Sequence, residues 1–322
     1  MPSLKEIKGR IASVNSTRKI TSAMKMVASS KLHHAQQMIE NMLPYENMLE
    51  RILRSFLASE ADAHTVFSEV RPVKHVAFVV YSSNSSLCGG FNANVTKMLH
   101  AAVEEFSALG KENILVYPVG RKIAEQVQKM GLKSAGDFTE LADKPNVAQC
   151  IDIARELGEK FLKGEIDRIE LIYHHFKSAG SQILQRKTFL PIDVNEVIGQ
   201  DNDRDLSHKT VTPEMQEYLR KNAKEEEKKK KVESKPLNDN FIVEPDMDTV
   251  LKTLIPKLAH LMLYTALLDS NASEHAARMV AMQTATDNAD ELLRVLNLQY
   301  NKSRQQAITN ELLDIVGGSV NN

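Results

Sequence analysis

The sequence predicts an α/β fold in which a long antiparallel coiled coil, formed by the N- and C-terminal helices, projects from a central α/β domain. Apolar residues recur at heptad spacing towards both ends of the 322-residue chain, which is the pattern of a coiled-coil seam. Short apolar runs alternate with helical patterns in the middle of the chain, and this alternation indicates βαβ units. Each terminal helix would be longer than a small domain, so we expect the two helices to wind around each other.

The N-terminal helix is predicted over residues 1–60. Its first seam residues follow 3-4-3 spacing and are Leu4, Ile7, Ile11 and Val14. Ser3 followed by Glu6 predicts a capping box at the helix start. A helix of this length spans about 80 Å, and we expect Pro44 to kink it locally.

The central α/β domain is predicted over residues 73–197. We expect strands over 73–83, 114–120, 167–176 and 182–192, and helices over 93–109, 121–131 and 146–163. Strands that alternate with helices predict a largely parallel sheet, and the short turn between the last two strands predicts a hairpin.

The C-terminal helix is predicted over residues 245–318. A heptad register starts at Leu251 and holds for eight heptads, through Leu258, Leu268, Met279, Met282, Thr286, Ala289 and Leu296 to Ala307. No glycine interrupts residues 247–316, so Gly317 and Gly318 are expected to end the helix. Its length would be about 100 Å, and Pro256 is expected near its first turns.

Composition excludes several classes of function. A net charge of −1 argues against a chain built as a whole to bind nucleic acid. The sequence has no run of about 18 apolar residues and no apolar stretch at its start, so we expect neither a membrane span nor a signal peptide. Two cysteines, Cys88 and Cys150, fit a reducing compartment without a structural disulfide.

Charge is distributed unevenly along the chain. Residues 1–31 hold seven Lys or Arg and a single acidic residue, which indicates either a solvated helix face or a basic stripe that meets an acidic partner. Residues 198–240 contain the blocky segment NAKEEEKKKKVESK. A solvated or disordered insertion fits this composition, and a nucleic-acid-binding arm is the weaker alternative because the acidic residues offset the lysines.

The segment YSSNSSLCGGFN at 81–92 follows a predicted strand and precedes a helix. Leu87, Cys88, Gly89 and Gly90 are expected to form a tight turn with a packed cysteine. A phosphate site is the alternative, because backbone N–H groups beside glycines can approach an anion. The glycine spacing matches neither the dinucleotide nor the P-loop fingerprint.

No pattern of catalytic or metal-binding residues is evident. The adjacent histidines at 33–34 and 174–175 cannot turn both rings to one metal ion from a helix or a strand. The sequence contains no GxSxG or HExxH motif. We therefore expect no catalytic residue, cofactor or metal.

Three stretches carry a family resemblance: IKGRIASVNSTRKITSAMKMVASSKL (7–32), SLCGGFN (86–92) and SEHAARMVAMQTATDNADELLRVLNLQYNKSRQQAITNELLDIVGG (273–318). In these stretches the chain resembles the gamma subunit of the F-type rotary ATP synthase. The resemblance is strong at both termini and looser in the middle.

The resemblance implies a Rossmann-like central domain and the role of a rotor shaft. The coiled coil would sit inside a hexamer of alternating alpha and beta subunits. The central domain would rest, together with an epsilon subunit, on a membrane ring of c subunits. Proton or sodium flow would turn the ring and the shaft together. The resemblance further implies a peripheral position on the cytoplasmic side of the bacterial inner membrane, without membrane insertion or nucleic-acid binding.

The resemblance also implies which side chains contact the hexamer. By motif position these are Arg18, Lys19, Met24, Lys25, Arg278, Arg304, Gln305 and Thr309. From the residues alone, the polar members of this set are either solvated or aimed at a partner that encloses the helix. The family often reads TDRGLCGG where this chain has SNSSLCGG at 83–90, so any role of that Asp-Arg pair is absent or altered. Residues 198–240 contain no cysteine, so a thiol switch of the chloroplast kind is not expected there.

Three functions remain open from the sequence. The chain is a rotor shaft, a nucleotide-binding α/β protein with a coiled-coil tether, or a tether alone. Leucine in place of alanine along 276–289 is expected to stall a rotor and leave a tether unharmed. In a rotor, residues 198–240 are expected to lie on the central domain and to modulate rotation or contact epsilon.

Overall fold

The computed structural model describes residues 3–59, 67, 69–192, 244 and 247–320, without the side chains at 50, 51, 53–59, 247, 248, 251 and 314–320. The predicted insertion at 198–240 lies outside these residues. None of the described helices is both long and apolar enough to cross a membrane.

The two terminal helices are the longest elements of the fold. Helix α1 spans Leu4–Ser59 and the last helix, α6, spans Met247–Val320, so they are about 84 Å and 111 Å long at 1.5 Å per residue. Ser3 Oγ accepts a 3.2 Å hydrogen bond from the Glu6 backbone N–H, as the capping box requires at its first residue. Pro44 and Pro256 lie inside these helices, which continue past them.

The predicted end of α6 at Gly317 and Gly318 is wrong, because the helix continues to Val320. A glycine inside a helix costs about 1 kcal/mol relative to alanine. This cost weakens a helix without ending it. Where a glycine does end a helix, it commonly adopts the left-handed conformation that closes the last turn, and neither Gly317 nor Gly318 is among the residues with a positive φ angle.

Helices α1 and α6 are antiparallel. Arg18 Nη1 lies 2.9 Å from Asp290 Oδ1, and Thr21 Oγ1 lies 2.8 Å from Thr286 Oγ1. Residue numbers therefore rise along one helix as they fall along the other. The prediction of an antiparallel coiled coil is confirmed.

The central domain contains a five-stranded sheet. Its strands are β1 (Val76–Tyr81), β2 (Ile114–Val119), β3 (Lys133–Ser134), β4 (Arg168–Ser178) and β5 (Ser181–Leu190), in the order β3-β2-β1-β4-β5. The first four strands are parallel, and β4 pairs with β5 in an antiparallel hairpin. The predicted parallel sheet and its hairpin are confirmed.

Between the strands run α2 (Phe91–Glu105), α3 (Arg121–Met130), α4 (Thr139–Asp143) and α5 (Val147–Leu162). The sequence did not predict β3 or α4. Each is too short for its pattern to repeat, because β3 has two residues and α4 has five, against periods of 2 residues in a strand and 3.6 in a helix.

The sheet is buried on both faces. Val76, Phe78 and Val80 of β1 pack with α2 and α3 in one apolar cluster. The alternate residues Ala77 and Val79 pack in a second cluster with α4, α5 and both terminal helices. The long helices therefore form one of the two outer layers of the domain, and the coiled coil extends beyond it.

Candidate functional site

The seam of the coiled coil contains small residues and methionine as well as larger aliphatic residues such as Ile7 and Leu296. Its buried small or flexible members include Ala28 of α1 and Ala272, Met282 and Ala289 of α6. Small side chains let two helix backbones approach closely, and methionine fills irregular gaps. The heptad register counted from the sequence therefore predicts correctly which side of α6 packs against α1.

The predicted contact residues of α1 lie where the coiled coil extends beyond the domain. Lys19 is exposed, and Arg18, Met24 and Lys25 are half-buried. Arg18 is already paired with Asp290 across the two helices. The guanidinium therefore contributes to the register of the coiled coil within the chain.

The predicted contact residues at the far end of α6 are exposed. Arg304, Gln305 and Thr309 all face solvent, and Thr309 donates only to the Gln305 carbonyl at 2.9 Å among its described contacts. Extending the register of the cross-helix pairs places Leu4 opposite about residue 304. Beyond that level α6 continues without α1 beside it.

The segment after β1 forms a tight turn. Leu87 and Gly89 have φ angles of 68° and 59°, and such left-handed backbone is unusual for a leucine. Cys88 is buried, and its Sγ lies 3.1 Å from Asn92 Nδ2. Gly90 then caps the start of α2. The turn with a packed cysteine is thus what the structure contains at this position.

Helix α6 covers the carboxyl ends of β1 and β2, and the cavity that remains there measures about 10 Å³. In this strand order the usual ligand position lies between β1 and β4, where the order of the strands reverses. The lining residues of the cavity are Tyr81, Ser82, Val119, Ala142, Leu267, Ser270, Asn271 and Glu274. A space of this size holds one water molecule at most. A nucleotide therefore has no room at the carboxyl ends of β1 and β2.

A larger cavity of about 450 Å³ opens between α4 and α5. Four residues with carboxylate side chains line it: Asp137, Glu140, Asp152 and Glu156. Carboxylates repel phosphate groups, so this cavity does not favour a nucleotide either.

Buried polar contacts join α6 to the domain. His175 Nδ1 lies 2.7 Å from Asp269 Oδ2, and the Asp269 side chain is 0% exposed. Tyr81 donates its hydroxyl to the Leu263 carbonyl at 3.0 Å, and burial raises the Tyr81 pKa well above its usual range. Asn271 Nδ2 donates to the Ala142 carbonyl at 2.9 Å. Helix α6 is thereby fixed to β1, β4 and α4.

The histidines at 174 and 175 point to opposite faces of β4. The His174 ring stacks on Phe91 with centroids 4.4 Å apart, while His175 meets Asp269 on α6. Burial lowers the pKa of His174 to about 4. Among the described residues, no group of three or more His, Cys, Asp or Glu side chains is arranged to hold a metal ion.

Arg278 differs from the other predicted contact residues because it makes side-chain contacts with the loop after β1. Its Nη1 lies 2.6 Å from Glu274 Oε1, and its Nη2 donates to Ser85 Oγ at 2.7 Å. Its side chain is only 12% exposed. Burial raises the Glu274 pKa, and the Arg278 charge opposes that rise. Contact of Arg278 with partner subunits stays a prediction, and within the chain its guanidinium is already engaged.

The sequence interpretation missed the partners of Arg278 and the pair between His175 and Asp269. One signal was available, because glutamate and arginine four residues apart on a helix are neighbours. The contacts to Ser85 and between β4 and α6 join residues far apart in the chain, and no local pattern reveals them.

The fold and the site together define a class of protein: a long antiparallel coiled coil carried on an α/β domain whose sheet is covered on both faces, with the coiled coil's own helices in one of the two covering layers. A family model described as ATP synthase matches residues 3–320. The chain belongs to the ATP synthase gamma chain family.

Similar proteins support this membership. The ATP synthase gamma chain of Phocaeicola vulgatus is 52% identical over 320 residues, covering 99% of this chain and 100% of the relative. That of Cytophaga hutchinsonii is 38% identical, covering 99% and 98%. A chain of the Euglena gracilis mitochondrial ATP synthase has a TM-score of 0.56 at 17% identity, covering 98% of this chain and 93% of its own length. The likeness to that structure shows the fold.

Proposed function

We propose that this chain is the central rotor shaft of an F-type ATP synthase. It couples proton or sodium flow through a membrane ring of c subunits to ATP synthesis or hydrolysis in a hexamer of alpha and beta subunits. The chain itself is non-catalytic. It is peripheral to the membrane, with its central domain beside an epsilon subunit and the c ring, on the cytoplasmic side of the bacterial inner membrane.

One observation carries this proposal. Large apolar side chains are exposed on the outside of the coiled coil, at Ile20, Met26, Val27, Val280, Leu292 and Leu298, and on the part of α6 that continues past α1, at Ile308, Leu312 and Leu313. Large exposed apolar side chains are a feature of surfaces that contact other proteins. They occur on both helices of the coiled coil, which supports a partner that contacts both helices. A ring of subunits around the coiled coil would do so.

Related proteins support the assignment of partners. The matching Euglena chain comes from a structure described as containing OSCP, F1 and the c-ring, and a Tetrahymena thermophila neighbour from one described as central stalk and c-ring. The exposed positions of Arg304, Gln305 and Thr309 suit contact with a loop of the beta subunit. Lys19 and Lys25 suit acidic loops of the housing.

The proposal is tested by mixing the purified chain with alpha and beta subunits. The chain alone should show no ATPase activity, and activity should appear when the three co-purify as a complex. If the chain does not co-purify with the hexamer, the rotor assignment fails. Calorimetry of the full chain with ATP tests the nucleotide-binding alternative. No heat of binding is expected, because four carboxylates line the largest described cavity between α4 and α5 and repel phosphate groups.

A leucine scan separates a rotor from a tether, provided that outward-facing positions are used. Ala276 and Ala289 are buried, so leucine there overpacks the seam and destabilises any coiled coil by about 1–3 kcal/mol. The expectation that leucines along 276–289 leave a tether unharmed therefore does not hold for buried positions. Thr284 is exposed. Thr284→Leu should leave stability unchanged and slow hydrolysis in the complex, and normal hydrolysis would count against an enclosed, turning shaft.

A further inference from the structure

Arg278 lies at the level where the coiled coil leaves the α/β domain. Before it along α6, Asp269, Asn271 and Ser273 make hydrogen bonds to the domain. Beyond it, in the described part of the chain, the polar side-chain contacts that leave α6 run to α1, at Thr286 and Asp290. A twisting force between the shaft and the domain therefore passes through the polar contacts of α6 up to Arg278, as well as through the apolar packing of α1 and α6 against the domain.

The guanidinium of Arg278 bridges α6 and the loop that follows β1. Its Nη1 is held by Glu274 of the same helix at 2.6 Å. Its Nη2 donates to Ser85 Oγ at 2.7 Å and lies 3.4 Å from the carbonyl oxygens of Ser85 and Ser86. A planar guanidinium held from one side by a carboxylate presents its remaining N–H groups in a fixed direction. Glu274 thus orients Arg278 towards the loop.

The loop is fixed at its other side to the rest of the domain. Asn84 Nδ2 donates to the Thr139 carbonyl and to Asp143, each at 2.7 Å. Asn84 Oδ1 accepts from the Arg121 backbone N–H at 2.8 Å. Helices α3 and α4 therefore hold the loop from one side while Arg278 holds it from the other, and force on α6 reaches both helices through a chain of hydrogen bonds.

We propose that Arg278 is a positioning residue for rotation, which locks the shaft helix to the loop at Ser85 and Ser86 and so transmits torque between the coiled coil and the α/β domain. This inference rests on the proposed rotor function. It assigns Arg278 a role inside the chain that is distinct from contact with the surrounding hexamer. The low exposure of its side chain and the use of both Nη atoms favour the internal role.

The test uses the chain assembled in the complete complex, in inverted membrane vesicles. Arg278→Lys keeps the charge beside Glu274 and loses the fork that reaches the loop, while Ser85→Ala removes the nearest acceptor. The double variant Glu274→Gln/Arg278→Gln removes both charges, so that no buried carboxylate is left without its partner. Arg294→Lys is the matched control, since Arg294 lies on the same helix and pairs only with Glu291, at 2.8 Å, among its described contacts.

Two quantities are measured for each complex. The first is the rate of ATP hydrolysis, and the second is the ion uptake into the vesicles that this hydrolysis drives. Proton uptake is measured as acidification of the vesicle interior, and sodium uptake is measured with ²²Na⁺. We expect Arg278→Lys and Ser85→Ala to lower the ratio of uptake to hydrolysis, with Arg294→Lys unchanged. A chain that carries both Arg278→Lys and Ser85→Ala should show no further loss beyond either single variant, because the two substitutions remove the same contact. Amide exchange across 84–87 should rise about tenfold or more, as the loss of a hydrogen bond to a charged group predicts. A merely structural role would lower assembly and leave the ratio of the assembled complexes unchanged.

The other outcomes overturn the proposal. An unchanged ratio in both single variants and in the neutral double variant shows that the contact carries no torque. A lower ratio for Arg278→Lys, with Ser85→Ala harmless or the two losses additive, shows that Arg278 acts on the hexamer. Failure of the wild-type chain to assemble with alpha and beta is a different result, and it removes the proposed function itself.

Discussion

The buried pair of His175 and Asp269 should dominate the attachment of α6 to the sheet, and a matched pair of variants measures this. Asp269→Ala breaks a contact of 2.7 Å in which the carboxylate is 0% exposed and the histidine 11%. Asp290→Ala breaks a contact of 2.9 Å in which the carboxylate is 54% exposed and Arg18 40%. Both replace aspartate by alanine within α6, so the change in helix propensity is the same.

The expected magnitudes differ because burial differs. Removing one partner of a buried hydrogen bond costs about 1–3 kcal/mol, because the remaining polar group keeps its desolvation penalty and loses this contact. Removing one partner of an exposed pair costs about 0.2–1 kcal/mol, since water solvates the remaining charge. The free energy of unfolding of the full chain in urea should therefore fall several times further for Asp269→Ala than for Asp290→Ala.

A double-mutant cycle completes this measurement. His175→Ala should cost much less in the Asp269→Ala background than alone, whereas the cycle of Arg18 with Asp290 should be nearly additive. Equal losses for the two aspartate variants would refute the argument that burial sets the strength of these contacts. An additive cycle at His175 would show that Asp269 stabilises α6 through some other group.

Three further outcomes follow from the same structure. Burial lowers the pKa of His174 and of His275 to about 4, so these histidines bind protons at higher pH in the unfolded chain than in the folded chain. The free energy of unfolding should therefore fall as the pH drops from about 6.5 to about 4, by up to about 3 kcal/mol per histidine. In urea titrations repeated at several pH values, His174→Gln should make this dependence of the free energy of unfolding on pH less steep. Burial raises the pKa of Cys150 to about 12, so its thiol should resist iodoacetamide at pH 8 in the folded chain and react in urea; mass spectrometry of the labelled peptide would contradict this if labelling were equal in both states. Arg304→Ala at the exposed end of α6 should change the free energy of unfolding by less than about 0.5 kcal/mol. It should nevertheless lower the rate of ATP hydrolysis of the assembled complex, whereas the control variant Arg294→Ala should not. An unchanged rate of hydrolysis in Arg304→Ala would argue against a contact with the beta subunit.

The long elements were predictable from the sequence because their signal accumulates along the chain. Eight heptads specify one face of a helix many times over, and Met282, Ala289 and Leu296 are buried as that register requires. The two-residue strand β3 has no such repetition. The continuation of α6 past Gly317 was missed for a related reason, since a glycine changes the helix free energy by a small amount that the preceding turns outweigh.

In the candidate site, the surroundings of a residue were predictable only where they depend on its own helix and not on a distant part of the chain. Exposed positions such as Arg304 and Thr309 follow from helical periodicity and the absence of a partner helix beside them. The position of Arg278 does not, because its environment is made by Ser85, which is 193 residues away in the chain. Sequence patterns place Arg278 on a helix face, and only the packing of the loop against that face determines what the guanidinium contacts.

The small residues of α6 have two different explanations, divided near Arg278. At Ala272 and Ala276, α6 is in contact with both α1 and the domain, and both side chains are fully buried; a larger residue has no space there. Between Arg278 and Ala289 the helix has α1 on one side only, and Val280, Thr284 and Asn288 are exposed. Packing within the chain gives no reason for the absence of long charged side chains at these three positions, where a soluble helix ordinarily carries them. Longer exposed side chains such as Leu292 and Arg294 follow only further along the helix. The reason has to come from outside the chain, and a close-fitting partner that moves against this face supplies it, because small side chains present shallow barriers to rotation.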